Sequence, residues 1–138
     1  MSALDGKRME NRSMIYGIGI DATEIARIAQ ALRNPRFVSR LFTAAEAQSV
    51  GNGPESVRRW AARFAGKEAL IKACGGIRHS QWTDIEIIRR VHQEPEVRVQ
   101  GPLGEWIRQH RLKIWMSFTH ERHYAIAMVV LEQGSLVM

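Results

Sequence analysis

The sequence predicts an α+β fold with one long helix packed on a small antiparallel sheet. Three observations lead to it. Residues 55–74 repeat apolar side chains at helical spacing and run into Gly75-Gly76. Residues 83–99 and 113–131 instead alternate apolar with polar or small residues, as strands do. The helical segments come mostly first and the strands mostly last, an order that separates the classes and favours antiparallel pairing in the second half.

Taken in order, residues 1–13 have no periodicity and are read as a flexible N-terminal extension, with a single domain over 14–138. Ile15, Tyr16, Ile18 and Ile20, interleaved with Gly17 and Gly19, predict a strand that a neighbour approaches closely. Asp21-Ala22-Thr23-Glu24 has capping-box spacing, so a helix is expected from Asp21, with Ile25, Ile28, Ala29 and Leu32 on its inner side. Asn34-Pro35 ends that helix, and Arg36 to Phe42 reads as a short amphipathic turn. Thr43-Ala44-Ala45-Glu46 is a second capping box opening a brief helix to about Val50, before the loop Gly51-Asn52-Gly53-Pro54.

The long helix then presents Val57, Trp60, Ala61, Phe64, Ala65, Leu70, Ile71 and Cys74 as its apolar positions, with Gly75 placed to cap its C-terminus. Thr83–Val91 and the segment around Val97 and Val99 read as paired strands across a turn at Glu94-Pro95. A short helix starts at Gly101-Pro102 and runs to about His110. A strand covers Lys113–Phe118, Thr119–Arg122 is read as a connection, and a last strand covers Tyr124–Leu131.

Composition narrows the function classes. The 138 residues suit one domain, and 45% hydrophobic with 25% charged content is ordinary for a soluble globular chain. No apolar run approaches the ~20 residues of a membrane-spanning helix, and residues 1–13 lack the apolar core of a signal peptide. A single cysteine, Cys74, fits a reducing cytoplasm. The net charge of +6 favours an anionic partner: a phosphorylated small molecule, an acidic protein or a nucleic acid. No helix-turn-helix, zinc-finger or RNA-binding sheet signature supports the nucleic acid.

Candidate chemistry is sparse. Glu68 and Lys72 share a helical face with Phe64 one turn earlier; on pattern alone such a pair is more often a surface ion pair than a site. Asp21 is either a helix cap or a carboxylate at the end of a strand, where metal ligands are common. His120 follows a strand without an identifiable partner. Arg27, Arg33, Arg36 and Arg40 with Phe37 are either a solvated basic face or a dock for acidic groups.

Three blocks, in order, resemble the holo-acyl-carrier-protein synthases, the small bacterial 4′-phosphopantetheinyl transferases. They are Met14 to Asp21 with Glu24 and Arg27, Arg63-Phe64-Ala65-Gly66-Lys67-Glu68-Ala69 with Lys72-Ala73, and Ser117-Phe118-Thr119-His120 with the Ala125-Ile126-Ala127 strand. Arg36-Phe37 and Phe42-Thr43 with Glu46 add a fourth between the first two. The resemblance covers about Met14 to Glu132. It departs at Gly66, where the family commonly has alanine, and at Gly75-Gly76-Ile77, which lacks a hydroxyl residue often found between two glycines there.

The resemblance implies the 4′-phosphopantetheinyl transferase fold and a homotrimer with active sites at subunit boundaries. It implies Mg²⁺-dependent transfer of the phosphopantetheine arm of coenzyme A to a serine of apo acyl carrier protein, releasing adenosine 3′,5′-bisphosphate, in fatty acid biosynthesis. By the same resemblance Asp21 and Glu68 are the metal ligands, and Glu68, Asp21 and Lys72 are the catalytic residues. Arg63, Lys72, Gly75, Gly76 and His120 are expected at coenzyme A, and Arg27, Arg36, Phe37 and Arg40 at the carrier protein. Neither nucleic acid nor membrane is an expected partner.

Overall fold

The computed structural model describes residues 13–90 and 92–134. The predicted flexible extension lies outside these residues except for Ser13, as do Val91 and positions 135–138 of the predicted domain. In chain order the elements are β1 (Ser13–Glu24), α1 (Ile25–Ala31), α2 (Pro35–Leu41), α3 (Ala44–Val50), α4 (Ser56–Ala73), β2 (Ile85–Ile88), β3 (Glu96–Val99), α5 (Gly101–Gln109), β4 (Leu112–His120) and β5 (Tyr124–Gly134). A single 3₁₀ turn, Trp82–Asp84, precedes β2. Strands β1, β5 and β4 form an antiparallel sheet in that order, and β2 and β3 form a separate antiparallel pair.

Helix α4 lies across the three-stranded sheet. Its small residues Ala65, Ala69 and Ala73 are buried there, and a Cβ at Gly19 of β1 would overlap the Ala69 carbonyl. The glycines of β1 thus let the strand backbone lie almost against the helix. Leu70, Ile85, Ile87, Leu103, Val129 and Leu131 fill the main core. A second cluster of Ile28, Phe42, Val50, Trp60 and Ala61 sits under the three short helices. Gly66, the departure from the family pattern, is a packing feature: a Cβ there would come to 2.9 Å from Ile87 Cδ1 and 3.1 Å from Met116 Sδ.

Several local expectations hold. Thr43 and Glu46 form the reciprocal cap of α3, with N–H donation to Thr43 Oγ1 at 3.1 Å and to Glu46 Oε1 at 3.0 Å. At the end of α4 the Gly76 N–H reaches the Ile71 carbonyl at 2.9 Å and the Gly75 N–H the Lys72 carbonyl at 3.1 Å. That double bond, with Gly75 at φ +77°, is a Schellman ending.

Three expectations are corrected. Asp21 does not cap a helix: β1 continues to Glu24 because residues 21–24 pair with 127–124 of β5, and α1 starts at Ile25 without a side-chain cap. Cross-strand bonding has overridden the local capping signal. The segment after Asn34-Pro35 is a true helix, since the Asn34 side chain accepts the Arg36 N–H at 3.0 Å and Pro35 occupies its first turn. Thr119 and His120 belong to β4, paired with Ile126 and Ala125, rather than to the connection. The turn itself is tied by Glu121, whose carboxylate accepts the His123 and Tyr124 N–H groups at 2.6 Å each.

Candidate active site

Alternation along β1 turns Gly17, Gly19, Asp21 and Thr23 toward α4. Asp21 therefore faces the helix at the height of Glu68 and Lys72. Lys72 Nζ donates to Asp21 Oδ1 at 3.2 Å and to the Ile20 carbonyl at 3.1 Å, while the Thr23 hydroxyl donates to the other Asp21 oxygen. The aspartate side chain is mostly covered and the lysine is half open to solvent.

Glu68 is half-buried beside them. Partial burial lifts its carboxyl above the ordinary range, the Asp21 charge lifts it further, and Lys72 opposes both. Two carboxylates close enough to repel, with an ammonium alongside and solvent within reach, are suited to a hard divalent cation. Such an ion takes oxygen donors and keeps waters or substrate phosphate in its other positions. Among the described residues no group of three or more His, Cys, Asp or Glu side chains gathers that could hold a metal ion.

On the other side of α4 lies a cleft of ≈ 630 Å³ at the β4 edge, lined by Arg58, Arg59, Arg63, Arg89, Phe118 and His120 among others and by no carboxylate. Arg63 is 3% exposed. Its two terminal nitrogens donate to the Arg59 carbonyl and to Ser49 Oγ, both at 3.2 Å, and Nε has no partner. Burial holds this guanidinium below its usual pKa; Glu46 opposes that, and the neighbouring Arg59 and Arg89 add to it. A crowded set of cations in a cleft, one of them with an unpartnered nitrogen, is suited to an anion. The Arg89 guanidinium also lies 5.1 Å over the Phe118 ring, which closes one wall.

The predicted residues thus fall into separate groups. Asp21, Glu68 and Lys72 come together. Arg63 and His120 come together in the cleft, but not with the first group: on a helix of 3.6 residues per turn Arg63 and Glu68 point about 140° apart. The strands that carry Asp21 and His120 are the two outer ones of the sheet, with β5 between them. Gly75 and Gly76 end α4 beyond Lys72, and the space a side chain would occupy at Gly76 is open. Arg27 on α1 and Arg36 and Arg40 on α2 are exposed, with no ion pair among the described residues. Phe37 is half-buried between Phe42 and Phe64, at centroid distances of 6.0 and 6.2 Å.

Sequence reasoning missed three things. Lys67 is fully buried against Glu46 at 2.7 Å. Trp82 stacks on Phe64 at 5.5 Å with the rings 9° from parallel. Arg58, Arg59 and Arg89 join the cleft. Only Glu46 carried a sequence signal, its capping-box spacing, and that points to a local role.

A family model described as the 4′-phosphopantetheinyl transferase superfamily matches residues 17–129. A holo-[acyl-carrier-protein] synthase of Geobacter metallireducens is 38% identical over 125 residues, covering 87% of this chain and 99% of the relative. Among solved structures, the holo-[acyl-carrier-protein] synthase of Neisseria meningitidis superposes with a TM-score of 0.77 at 31% identity, covering 86% of this chain and 98% of that one. The Bacillus anthracis enzyme, solved in complex with CoA (3′,5′-ADP), gives 0.72 at 31% identity over 87% of this chain and 98% of that one.

Proposed function

This chain belongs to the holo-acyl-carrier-protein synthases of the 4′-phosphopantetheinyl transferase superfamily, and on that premise we propose that it moves the phosphopantetheine arm of coenzyme A onto a serine of an apo acyl carrier protein. The observation that carries this reading is the meeting of Asp21, Glu68 and Lys72 between β1 and α4. In the proposed step the serine oxygen attacks the pantetheine-side phosphorus of the pyrophosphate. The bond from that phosphorus to the bridging oxygen breaks, and adenosine 3′,5′-bisphosphate leaves.

Mg²⁺, held by Asp21 and Glu68, would supply neutralisation of the pyrophosphate charge. Glu68 takes the serine proton, directly or through a water. Lys72 reaches toward the leaving phosphate and stabilises the charge that develops there. Arg63 and His120 hold the phosphates at the adenosine end, and the open backbone at Gly75 and Gly76 lets the chain approach the substrate. Arg27, Arg36 and Arg40, with Phe37 beside them, dock the acidic carrier.

A homotrimer follows from the same reading. The metal pair and the arginine cleft stand on opposite flanks of α4, so one protomer's cleft would serve its neighbour's carboxylates. The outer sheet face exposes Ile18, Ile20, Trp115 and Met128, an apolar surface that a second copy would cover. The pathway is fatty acid biosynthesis in the cytoplasm. Residues 14–138 are the catalytic domain, and residues 1–13 are an extension dispensable for transfer.

Mass spectrometry of apo acyl carrier protein after incubation with this protein, coenzyme A and Mg²⁺ tests the reading. A mass gain of one phosphopantetheine is expected. An unmodified carrier, with coenzyme A intact, would overturn it.

A further inference from the structure

The most completely buried charges of the described chain belong to no part of the proposed chemistry. Lys67 and Glu46 are both inaccessible to solvent, and every hydrogen-bonding position of the ammonium is used. Lys67 Nζ donates to Glu46 Oε1 at 2.7 Å, to the Leu41 carbonyl at 2.6 Å and to the Trp82 carbonyl at 3.2 Å. The Glu46 carboxylate in turn accepts the Thr43 N–H at 3.0 Å and the Ile87 N–H at 2.9 Å. Burial pulls the lysine below its ordinary pKa, and Glu46 opposes that shift.

Stability is a poor explanation for such a pair. Desolvating two charges offsets most of their attraction, and well-packed apolar residues often serve a core as well. What a buried, fully bonded pair does supply is a fixed relative placement of the segments it joins. Here those segments are α2, α3, α4, the turn at Trp82 and strand β2.

Two of the connections bear on the reaction. Leu41 is the last residue of α2, and its carbonyl is among those a helix leaves unpaired at its C-terminus. Lys67 supplies the missing donor and sets a positive charge at the negative end of the helix dipole. Its ammonium also lies 4.8 Å over the ring of Phe42, the next residue. At the other end, Lys67 is the immediate neighbour of Glu68 on the rigid helix α4. One ammonium therefore references both the helix that bears Arg36, Phe37 and Arg40 and the carboxylate that meets the substrate.

We infer that Lys67 and Glu46 form a positioning couple, which holds the carrier-docking helix α2 in register with Glu68 so that the docked serine arrives at the carboxylate. This rests on the transferase reading above and on α2 as the docking helix.

The double variant Glu46→Gln/Lys67→Met removes both charges of the couple together, so neither partner is left as an unpaired ion, while the buried Arg63 loses the Glu46 charge that offsets it. Thr43→Val is a milder second variant: the Thr43 hydroxyl accepts the Glu46 N–H at 3.1 Å and donates to Glu86 at 2.7 Å, so its loss loosens Glu46 without touching Lys67. Each is checked for folding by circular dichroism and thermal melting. Coenzyme A affinity is measured by calorimetry, and carrier modification by mass spectrometry per coenzyme A-binding site. The inference expects kcat/KM for carrier protein to fall about tenfold or more in the double variant and about threefold in Thr43→Val. Thr43→Val, which keeps the Glu46 charge beside Arg63, should hold coenzyme A affinity within about twofold of the parent.

A folded double variant with unchanged carrier kinetics would reduce the couple to core packing and overturn the inference. Should the double variant not fold, Thr43→Val decides in the same way. No transfer by the parent protein would sink the functional reading itself, whereas unchanged variants beside an active parent sink only the positioning role.

Discussion

Lys72 Nζ sits 3.2 Å from Asp21 Oδ1, across the gap between α4 and β1. It forms no ion pair with Glu68, one turn back on its own helix. The cation that helical spacing assigns to Glu68 has thus been taken by a carboxylate from another element. Glu68 is left with a neighbouring negative charge and a raised pKa.

On the proposed mechanism, Glu68 is the residue whose loss is expected to be felt most. Glu68→Gln is expected to lower phosphopantetheine transfer by about three orders of magnitude or more, as removal of both a metal ligand and a base implies, while the fold remains. The check is turnover with saturating Mg²⁺ beside a circular dichroism spectrum. Ordinary turnover in the variant would remove Glu68 from both roles.

Asp21→Asn tests the coupling directly. Removing the Asp21 charge removes one of the two effects that raise the Glu68 pKa, and burial, the larger one, stays. Glu68 should therefore titrate at lower pH than in the parent, yet still above a free glutamate. The measurement is carboxyl NMR of the metal-free protein. Since a raised carboxyl pKa gives stability that is present below the unfolded value and lost as pH rises through the folded one, the variant should also lose less stability over that interval. An unmoved Glu68 titration would mean that the two carboxylates do not sense each other.

Charge reversal at the exposed basic helices bears on docking. Arg27→Glu is expected to raise the KM for carrier protein about tenfold at low salt and to leave coenzyme A affinity as it was. The difference from the parent should shrink as salt is added, because exposed charges are screened. Unchanged carrier kinetics across the salt series would take α1 out of the docking surface.

The cleft makes a different prediction. Arg63 is buried with Nε unbonded, so Arg63→Met removes a desolvated cation that other cations crowd. The melting temperature should change little, and coenzyme A affinity should fall at least about tenfold, the loss of one charge-assisted contact. Calorimetry with coenzyme A decides. Full affinity in a stable variant would place the phosphates elsewhere.

Gly19→Ala addresses the scaffold. The added Cβ would overlap the Ala69 carbonyl and come to 2.8 Å from the Ala73 nitrogen, so β1 and α4 must move apart. Overpacking of this kind costs about 1–3 kcal/mol, read as a lower denaturant midpoint. Asp21 and Lys72 bridge the same gap, so activity should fall as well. A variant as stable and active as the parent would show that the close approach is not required.

What the sequence determined by itself is local. Alternation located the strands, the Thr43 and Glu46 spacing located a cap that formed, and Gly75-Gly76 ended α4 where a left-handed residue was needed. Each depends on neighbours within a few positions, where periodicity and backbone sterics act. The family blocks also marked Asp21, Glu68 and His120, without saying which of them meet. The tertiary structure decided the rest. Asp21 lost its capping role to pairing with Ala127, more than a hundred positions away. Lys67 went inside because Glu46, Leu41 and Trp82 converge on it from other segments. Arg63 met His120 and Arg89 in a cleft, while Glu68 met Asp21 on the other flank of the same helix. Charge and desolvation act through distances in space, and those are set only when the helix has docked on the sheet.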